Sequence, residues 1–249
     1  MKIGLVKHFN ARPLTFGFEE SGEHELVYDN PSVLKDLLLN GELDTALISS
    51  VECLRHKNEL SYCSEVGVCS RNKVRSILFY KNPEEIYPPE KIYVDSGSRT
   101  SVALITLLVL METGKRVETV PMPASEIMMK IQRREGSHML FGDHALFMSE
   151  APGFICIDLA EWWFRLTGKG FCFAFWAYPK KLSMPDSLFM DSLKYGLSQL
   201  NKIILKETRF PPELSRVYLE EELHYYLEEN DRAGFLQFSK ALEENGLLF

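Results

Sequence analysis

Two strand-to-helix turns carry the side chains that could do chemistry. The stretch KHFNARPL, residues 7–14, places an amide (Asn10), a fixed cation (Arg12) and a rigid ring (Pro13) directly after the apolar strand MKIGLV. The stretch DSGSRTS, residues 95–101, ends a second strand at Asp95 and opens a long helix near Arg99 through a glycine turn. The first N–H groups of a helix have no partner within it, and the positive end of its dipole points over the turn. Ser98, Thr100 and Ser101 add hydroxyl donors there, and Arg99 adds a guanidinium able to pair with a carboxylate. One hydroxyl is enough to cap a helix. Four polar donors in succession suit a small anion better.

Other turns are weaker candidates. DTALISSVE, residues 44–52, is another strand-to-helix turn, where Ser49 and Ser50 serve either as helix cap or as ligand donors, with Glu52 beyond. Ser76 interrupts the apolar strand RSILFY, and its hydroxyl needs a partner from backbone or ligand. MLFGDHAL offers Gly142 and Asp143 at a strand end, where Asp143 is either a helix cap or a site residue, and His144 is a weak acid–base candidate. Trp176, in FCFAFWAYPK, reads as core or as the wall of a cleft at the return crossing between lobes.

Several chemistries lack their signatures. The six histidines (His8, His24, His56, His138, His144 and His224) show no H-x-x-x-H or H-E-x-x-H spacing, so no metal site is expected. Neither a G-x-G-x-x-G nor a P-loop pattern occurs, and no cofactor is expected. The G-x-S-x-G nucleophile elbow is absent too. A formal charge of −7 argues against nucleic acid as partner, since phosphate backbones want a basic face. An anionic ligand must then be bound by local donors against the global field. The five cysteines form no Cys-x-x-Cys pair and read as buried, reduced thiols. The apolar run before Lys7 is too short for a signal-peptide core, and no stretch approaches the roughly 20 apolar residues of a membrane span. These features predict a cytoplasmic protein without membrane contact.

The elements that must position these turns alternate strand and helix. KIGLV, HELVYD and DTALISS are strands, with helices at NPSVLKDLLLNG (cap Asn30, stop Gly41) and VECLRHK. YCSEVGVCS and RSILFYK read as two neighbouring strands. The proline-rich KNPEEIYPPEK suggests a lobe boundary near residue 90. Beyond it a second α/β set runs from IYVDS to FCFAFWAYPK, around a helix apolar on every side and so buried. From Pro185 the chain reads as helical, in SLFMDSLKYGLSQLNKIIL, YLEEELHYYL and AGFLQFSKALEENG, packing back onto the first lobe. Its apolar and aromatic residues either cover the core or meet a second copy in a homodimer. The expected architecture is α/β and two-lobed with a central ligand cleft, lobe I comprising residues 1–90 and 178–249 and lobe II residues 91–177.

Taken together, KHFNARPL, GELDTALISSVECL, VRSILFY, DSGSRTSVALITLLV, LFGDHAL and FCFAFWAYP resemble, in order and spacing, the chorismate dehydratases of the futalosine route to menaquinone. The resemblance covers residues 1 to about 180, and the tail is generic. That family often has Tyr-Leu-Asn-Thr-Arg-Pro-Leu in the first motif, where this chain has Phe9 and Ala11. The resemblance implies a fold similar to type II periplasmic binding proteins and the conversion of chorismate, a dicarboxylate, to 3-[(1-carboxyvinyl)oxy]benzoate and water without a cofactor. It assigns Asn10 and Ser76 to catalysis, as the groups that position a substrate carboxylate acting as base. It assigns the dicarboxylate to Arg12 on one lobe and the Ser98–Ser101 helix start on the other, with Ser49, Ser50, Gly142, Asp143 and Trp176 around it. The rival expectations are a ligand sensor of the same fold and the dihydroxynaphthoate synthase of the same route, whose N-terminal turn is marked by Pro-Asn-Asp.

Overall fold

The computed structural model describes residues 1–248. The chain opens with β1 (Lys2–Leu5), a 3-10 turn at Phe9–Ala11, α1 (Arg12–Ser21), β2 (Glu25–Tyr28), α2 (Pro31–Leu39), β3 (Thr45–Ser49), α3 (Ser50–Arg55) and β4 (Leu60–Ser70). Pro13 and Pro31 stand at helix starts, where a missing N–H costs nothing. Next come β5 (Ile77–Lys81), β6 (Lys91–Asp95), α4 (Arg99–Thr113), β7 (Glu118–Met122), α5 (Ala124–Gln132), β8 (Ser137–Phe141), α6 (Gly142–Phe147), β9 (Ile155–Asp158) and α7 (Leu159–Thr167). The chain then returns through β10 (Phe171–Pro179) to α8 (Asp186–Ser198), α9 (Leu200–Lys206), α10 (Pro212–Arg216), a π-helical turn at Val217–Glu222, β11 (His224–Tyr226) and α11 (Glu229–Glu244).

Two sheets result, ordered β11-β4-β10-β3-β1-β2 and β7-β6-β8-β5-β9. Each is built on the same plan. A first strand lies between its second and third in parallel, β2-β1-β3 and β7-β6-β8. Beside the third runs an antiparallel strand adjoining the crossing, β10 in one sheet and β5 in the other. One apolar cluster passes through both lobes, because α4 is apolar all round and buries Leu104, Leu107 and Leu108 completely. A smaller cluster of Leu78, Tyr80, Ile127 and Leu140 covers the other face of the second sheet.

The crossings lie elsewhere than residue composition suggested. β5 pairs with β8 and β9, so it belongs to the second lobe and is no neighbour of β4. The proline-rich run joins β5 to β6 inside that lobe; its stiffness marks a loop, and sheet membership is decided by pairing. The outward crossing is residues 71–76, and the return falls before Phe171, since β10 pairs with β3 and β4. The tail also differs. SLFMDSLKYGLSQLNKIIL breaks at Gln199 into α8 and α9, both with buried apolar faces. YLEEELHYYL divides: YLEEE lies in the π-helical turn at Val217–Glu222, while its HYY segment, with two β-favouring tyrosines, adds β11 to the edge of β4. α1 packs closely on α8, with Ser192 Oγ donating to Leu14 O at 2.8 Å, so the tail does cover the first lobe.

Asp158 secures the outward crossing. It is buried at the end of β9, where its Oδ2 accepts from the N–H groups of Val74 (3.0 Å) and Arg75 (2.6 Å). Its Oδ1 caps α7 through Ala160 and Glu161. Arg75, held at a φ of 48°, passes its guanidinium to Glu222 of the tail, Nε to Oε1 at 2.6 Å. Asp158→Ala orphans four N–H groups at once and is expected to cost about 2–4 kcal/mol in urea unfolding. Asp158→Asn keeps an acceptor oxygen and is expected to lose markedly less. Equal losses for the two would contradict this account.

Candidate active site

In open α/β sheets a crevice forms outside the carboxyl ends of the strands where their order reverses. Here those points are the ends of β1 and β3 in one sheet and of β6 and β8 in the other. The residues that follow are His8 and Asn10 after β1, Ser49 at the end of β3, Gly97 and Ser98 after β6, and Phe141 and Gly142 at the end of β8. All seven line one cavity between the lobes. Its empty space, open mouth included, is about 580 Å³. Ser76 from the outward crossing and Ser101 from the first turn of α4 complete its polar lining.

Six of the residues singled out in the sequence therefore meet: Asn10, Ser49, Ser76, Ser98, Ser101 and Gly142. Ser98 caps α4, accepting from Ser101 N at 3.2 Å, and its Oγ lies 2.7 Å from Ser101 Oγ. Capping and site lining are thus one arrangement, because a cap residue stands where the free N–H groups and the dipole end point. Gly142 has a φ of 61°, a conformation that favours glycine, and its N–H donates to Ser76 O at 2.7 Å. Gly97 admits the Phe141 ring, which would lie 2.9 Å from any Cβ built there.

The other six do not line the cavity. Arg12 runs two turns along α1 to Glu19, donating to both carboxylate oxygens at 2.5 and 2.8 Å. Arg99, one helical step from Ser98, projects to a different hollow beside Arg55. Ser50 is buried and donates to Cys172 O at 2.8 Å. Thr100 is buried as well; its Oγ1 accepts from Val51 N at 3.2 Å and donates to Phe173 O at 3.3 Å. Asp143 braces the lobes, accepting from Phe9 N at 3.2 Å and pairing with Arg209 at 2.7 Å. Trp176 is core, fully buried and stacked on Phe189 with centroids 5.4 Å apart.

Among the described residues the cavity is lined by no lysine, arginine or carboxylate. It is an apolar chamber with an amide, four serine hydroxyls, the start of α4 and one imidazole. That imidazole, His8, escaped the sequence reading. The signal was there in part: His8, like Val6 two residues before it, lines the cavity, as the alternation of an extended chain directs, before the 3-10 turn presents Asn10. His8 sits edge-on to Phe141 with centroids 5.3 Å apart. Burial pulls its pKa below the ordinary histidine value, with Asp143 and Asp95 opposing the shift and His144 and Arg209 adding to it. The site imidazole is therefore neutral near pH 7.

Two lobes of this strand order, with a cavity at their facing switch points, define the periplasmic-binding-protein class of fold. Protein AF1704 from Archaeoglobus fulgidus matches with a TM-score of 0.78 at 15% identity, over 99% of this chain and 97% of that one. The aliphatic sulphonate binding protein SsuA of Escherichia coli matches with a TM-score of 0.68 at 13% identity, over 100% and 93% of the two chains. The sequence narrows the class: a family model described as menaquinone biosynthesis matches residues 1–244, and the chain belongs to that family. The chorismate dehydratase of Thermus thermophilus is 29% identical over 96% of this chain and 94% of its own. That of Campylobacter jejuni is 25% identical over 96% and 92%.

The His8 environment can be read by NMR. Its ring resonances are expected to titrate below the ordinary value, since desolvation disfavours the charged form. Replacing Asp143 by Asn removes an opposing carboxylate and is expected to lower the midpoint further. Because the folded pKa is depressed, the unfolded chain binds more protons in that interval, and stability falls as pH drops through it. A His8 midpoint at or above the ordinary value would overturn the reading of this chamber as desolvated.

Proposed function

We propose that the protein is a chorismate dehydratase, a hydro-lyase that converts chorismate to 3-[(1-carboxyvinyl)oxy]benzoate and water. The observation that carries this reading is the meeting of Asn10 and Ser76 with the Ser98–Ser101 helix start across one chamber without fixed charges. Family membership and the names of the two relatives support it.

The chemistry fits such a chamber. The proton to be lost sits on the ring carbon bearing the enolpyruvyl ether. The ring double bond conjugates that carbon to the ring carboxylate. As the C–H bond breaks, its electron pair forms a new ring double bond and the neighbouring hydroxyl departs with its own pair, leaving an aromatic ring. Charge develops on the ring carboxylate as a dienolate, so fixed donors aimed at it lower the barrier most. The hydroxyls of Ser98 and Ser101 and the positive end of α4 supply such donors. A protein carboxylate in the chamber would repel the dianionic substrate. In this reading the substrate's enolpyruvyl carboxylate takes the proton, Asn10 and Ser76 hold it over the C–H bond, and neutral His8 offers an N–H to the departing hydroxyl.

Incubation with chorismate is expected to raise the ultraviolet absorbance of a substituted benzoate. Tight binding of chorismate without that change would instead identify a ligand-binding protein of the same fold. Asn10→Ala and Ser76→Ala are each expected to lower kcat by roughly 10²–10³-fold, the cost of one pre-organised donor. Near-full kcat in both would remove them from the mechanism. Arg12→Gln is expected to keep most of kcat while costing about 1.5–3 kcal/mol of stability, the worth of hydrogen bonds to a charged partner. A kcat loss as large as that of Asn10→Ala would return Arg12 to the site.

A further inference from the structure

On the tail side of the first sheet, three neighbouring strands place polar ligand atoms in one row. His224 of β11 stands directly opposite Cys69 of β4, and Cys69 directly opposite Cys172 of β10. Residues opposed in register share a face of the sheet, with Cβ atoms about 4.5–5.5 Å apart. The two thiols accordingly approach to 3.4 Å between sulfurs. α11 covers the row and adds Asp231, whose Oδ2 lies 2.6 Å from His224 Nε2. One ligand atom from each of Cys69, His224 and Asp231 lies within 4.8 Å of the other two. The Cys172 sulfur lies on the same side, 3.8 Å from the carbonyl oxygen of Asp231.

Asp231 Oδ2 also accepts from Glu228 N at 2.8 Å, as the capping box of α11, while the second ligand atom of each side chain of the His224–Asp231 pair has no partner among the described residues. Cys69 and Cys172 are buried, and the side chains of Asp231 and His224 are 1% and 10% exposed. Asp231 Oδ1 and His224 Nδ1 are both buried and accept or donate no hydrogen bond among the described residues. An apolar core would fill such a place with aliphatic side chains. Two thiols, an imidazole and a carboxylate gathered there instead form the donor set of a tetrahedral metal site.

We propose that Cys69, His224 and Asp231, with Cys172 closing on them as the fourth ligand, bind one structural zinc ion. Zinc takes sulfur at about 2.3 Å and imidazole nitrogen or carboxylate oxygen at about 2.0–2.2 Å. Tetrahedral geometry from those bond lengths asks for about 3.8 Å between sulfurs and about 3.3 Å between nitrogen and oxygen. The 3.4 Å between sulfurs and the 2.6 Å between Nε2 and Oδ2 each need to open by less than one ångström, and the Cys172 sulfur, outside the 4.8 Å group, has to close on the His224–Asp231 side to complete the tetrahedron. The ion would replace the His224–Asp231 hydrogen bond and the thiol protons with four bonds, since only thiolates ligate. Thiolate donors favour zinc over magnesium or calcium, which take oxygen. No H-x-x-x-H spacing announces this set because its ligands are neighbours across strands, 103 residues apart for the two cysteines. The site lies beside the chemistry, not in it: Val68 and Phe173, each adjacent to a ligand, line the cavity. Its work is to fasten β11 and α11 to the strands that wall the chamber.

The test uses the full chain purified under reducing conditions. Elemental analysis after dialysis against zinc and then buffer is expected to give one zinc per chain. Cobalt(II) in its place is expected to give the intense visible bands of a tetrahedral site and a thiolate-to-cobalt charge-transfer band. That band is expected to weaken in Cys69→Ser and in Cys172→Ser, and chelation of wild-type protein is expected to lower Tm. Should a cysteine variant fail to fold, His224→Gln and the wild-type cobalt spectrum decide the same question without it. Zinc far below one equivalent with no cobalt charge-transfer band overturns the proposal, as does a band of full intensity in both cysteine variants. A Cys69–Cys172 disulfide in the reduced preparation, seen by thiol titration, overturns it as well. None of these readouts involves chorismate, so failure here is distinct from failure of the dehydratase reading.

Discussion

The chamber exists because the first turn of α4 is docked at one point on the first lobe. Thr100 stands there, its hydroxyl accepting from Val51 N and donating to Phe173 O, with Ser50 Oγ at 3.3 Å. Val51 lies in the first turn of α3, and Phe173 belongs to β10, so this one side chain ties together the carboxyl end of one sheet and the helix start of the other. A buried hydroxyl with fewer partners would cost free energy. With both filled, it sets how far Ser98 and Ser101 stand from Asn10. The apolar girth of α4 serves the same end, because a helix buried in the shared core cannot slide without opening a cavity.

That docking explains why the helix start was legible and its membership was not. SRTS announces four donors, and the structure divides them by helical angle: Ser98 and Ser101 face the cavity, Thr100 the other lobe, and Arg99 a separate hollow. Composition shows that a turn is polar, while direction comes from the rotation of about 100° per residue and from what the helix packs upon. Arg12 follows the same rule. A cation next to Asn10 suggests an anion site, yet one residue inside α1 its side chain finds Glu19 on the same helix. The strand–helix alternation, the buried α4 and the core role of the tail were all readable, because local periodicity carries them. The two crossings, the break at Gln199 and β11 were not, since each is decided by pairing between residues far apart in the chain.

The missing cations change the physics of the site. A protein of net charge −7 that holds a dicarboxylate with arginines would bind its substrate tightly as a ground state. Neutral donors bind a carboxylate more weakly, but their effect grows with the charge they face. Uniform binding of substrate and transition state does not accelerate the chemical step; a difference between them does. In the proposed mechanism the hydroxyls and the helix start face the developing dienolate and would supply that difference without saturating the enzyme with substrate.

This also relates the reaction to the scaffold that carries it. Two lobes with facing switch points enclose the chamber from both sides, a fold shared with the aliphatic sulphonate binding protein SsuA. Loss of water from a cyclohexadienol needs no cofactor to drive it, because the product ring is aromatic. What it needs is a C–H bond held against an acceptor, a leaving hydroxyl offered a proton, and exclusion of bulk solvent that would level the electrostatics. A binding cleft already provides the hold and the dryness. In the proposed reaction the neutral groups that line this cleft, Asn10, Ser76, Ser98 and Ser101, are what would add direction to that hold.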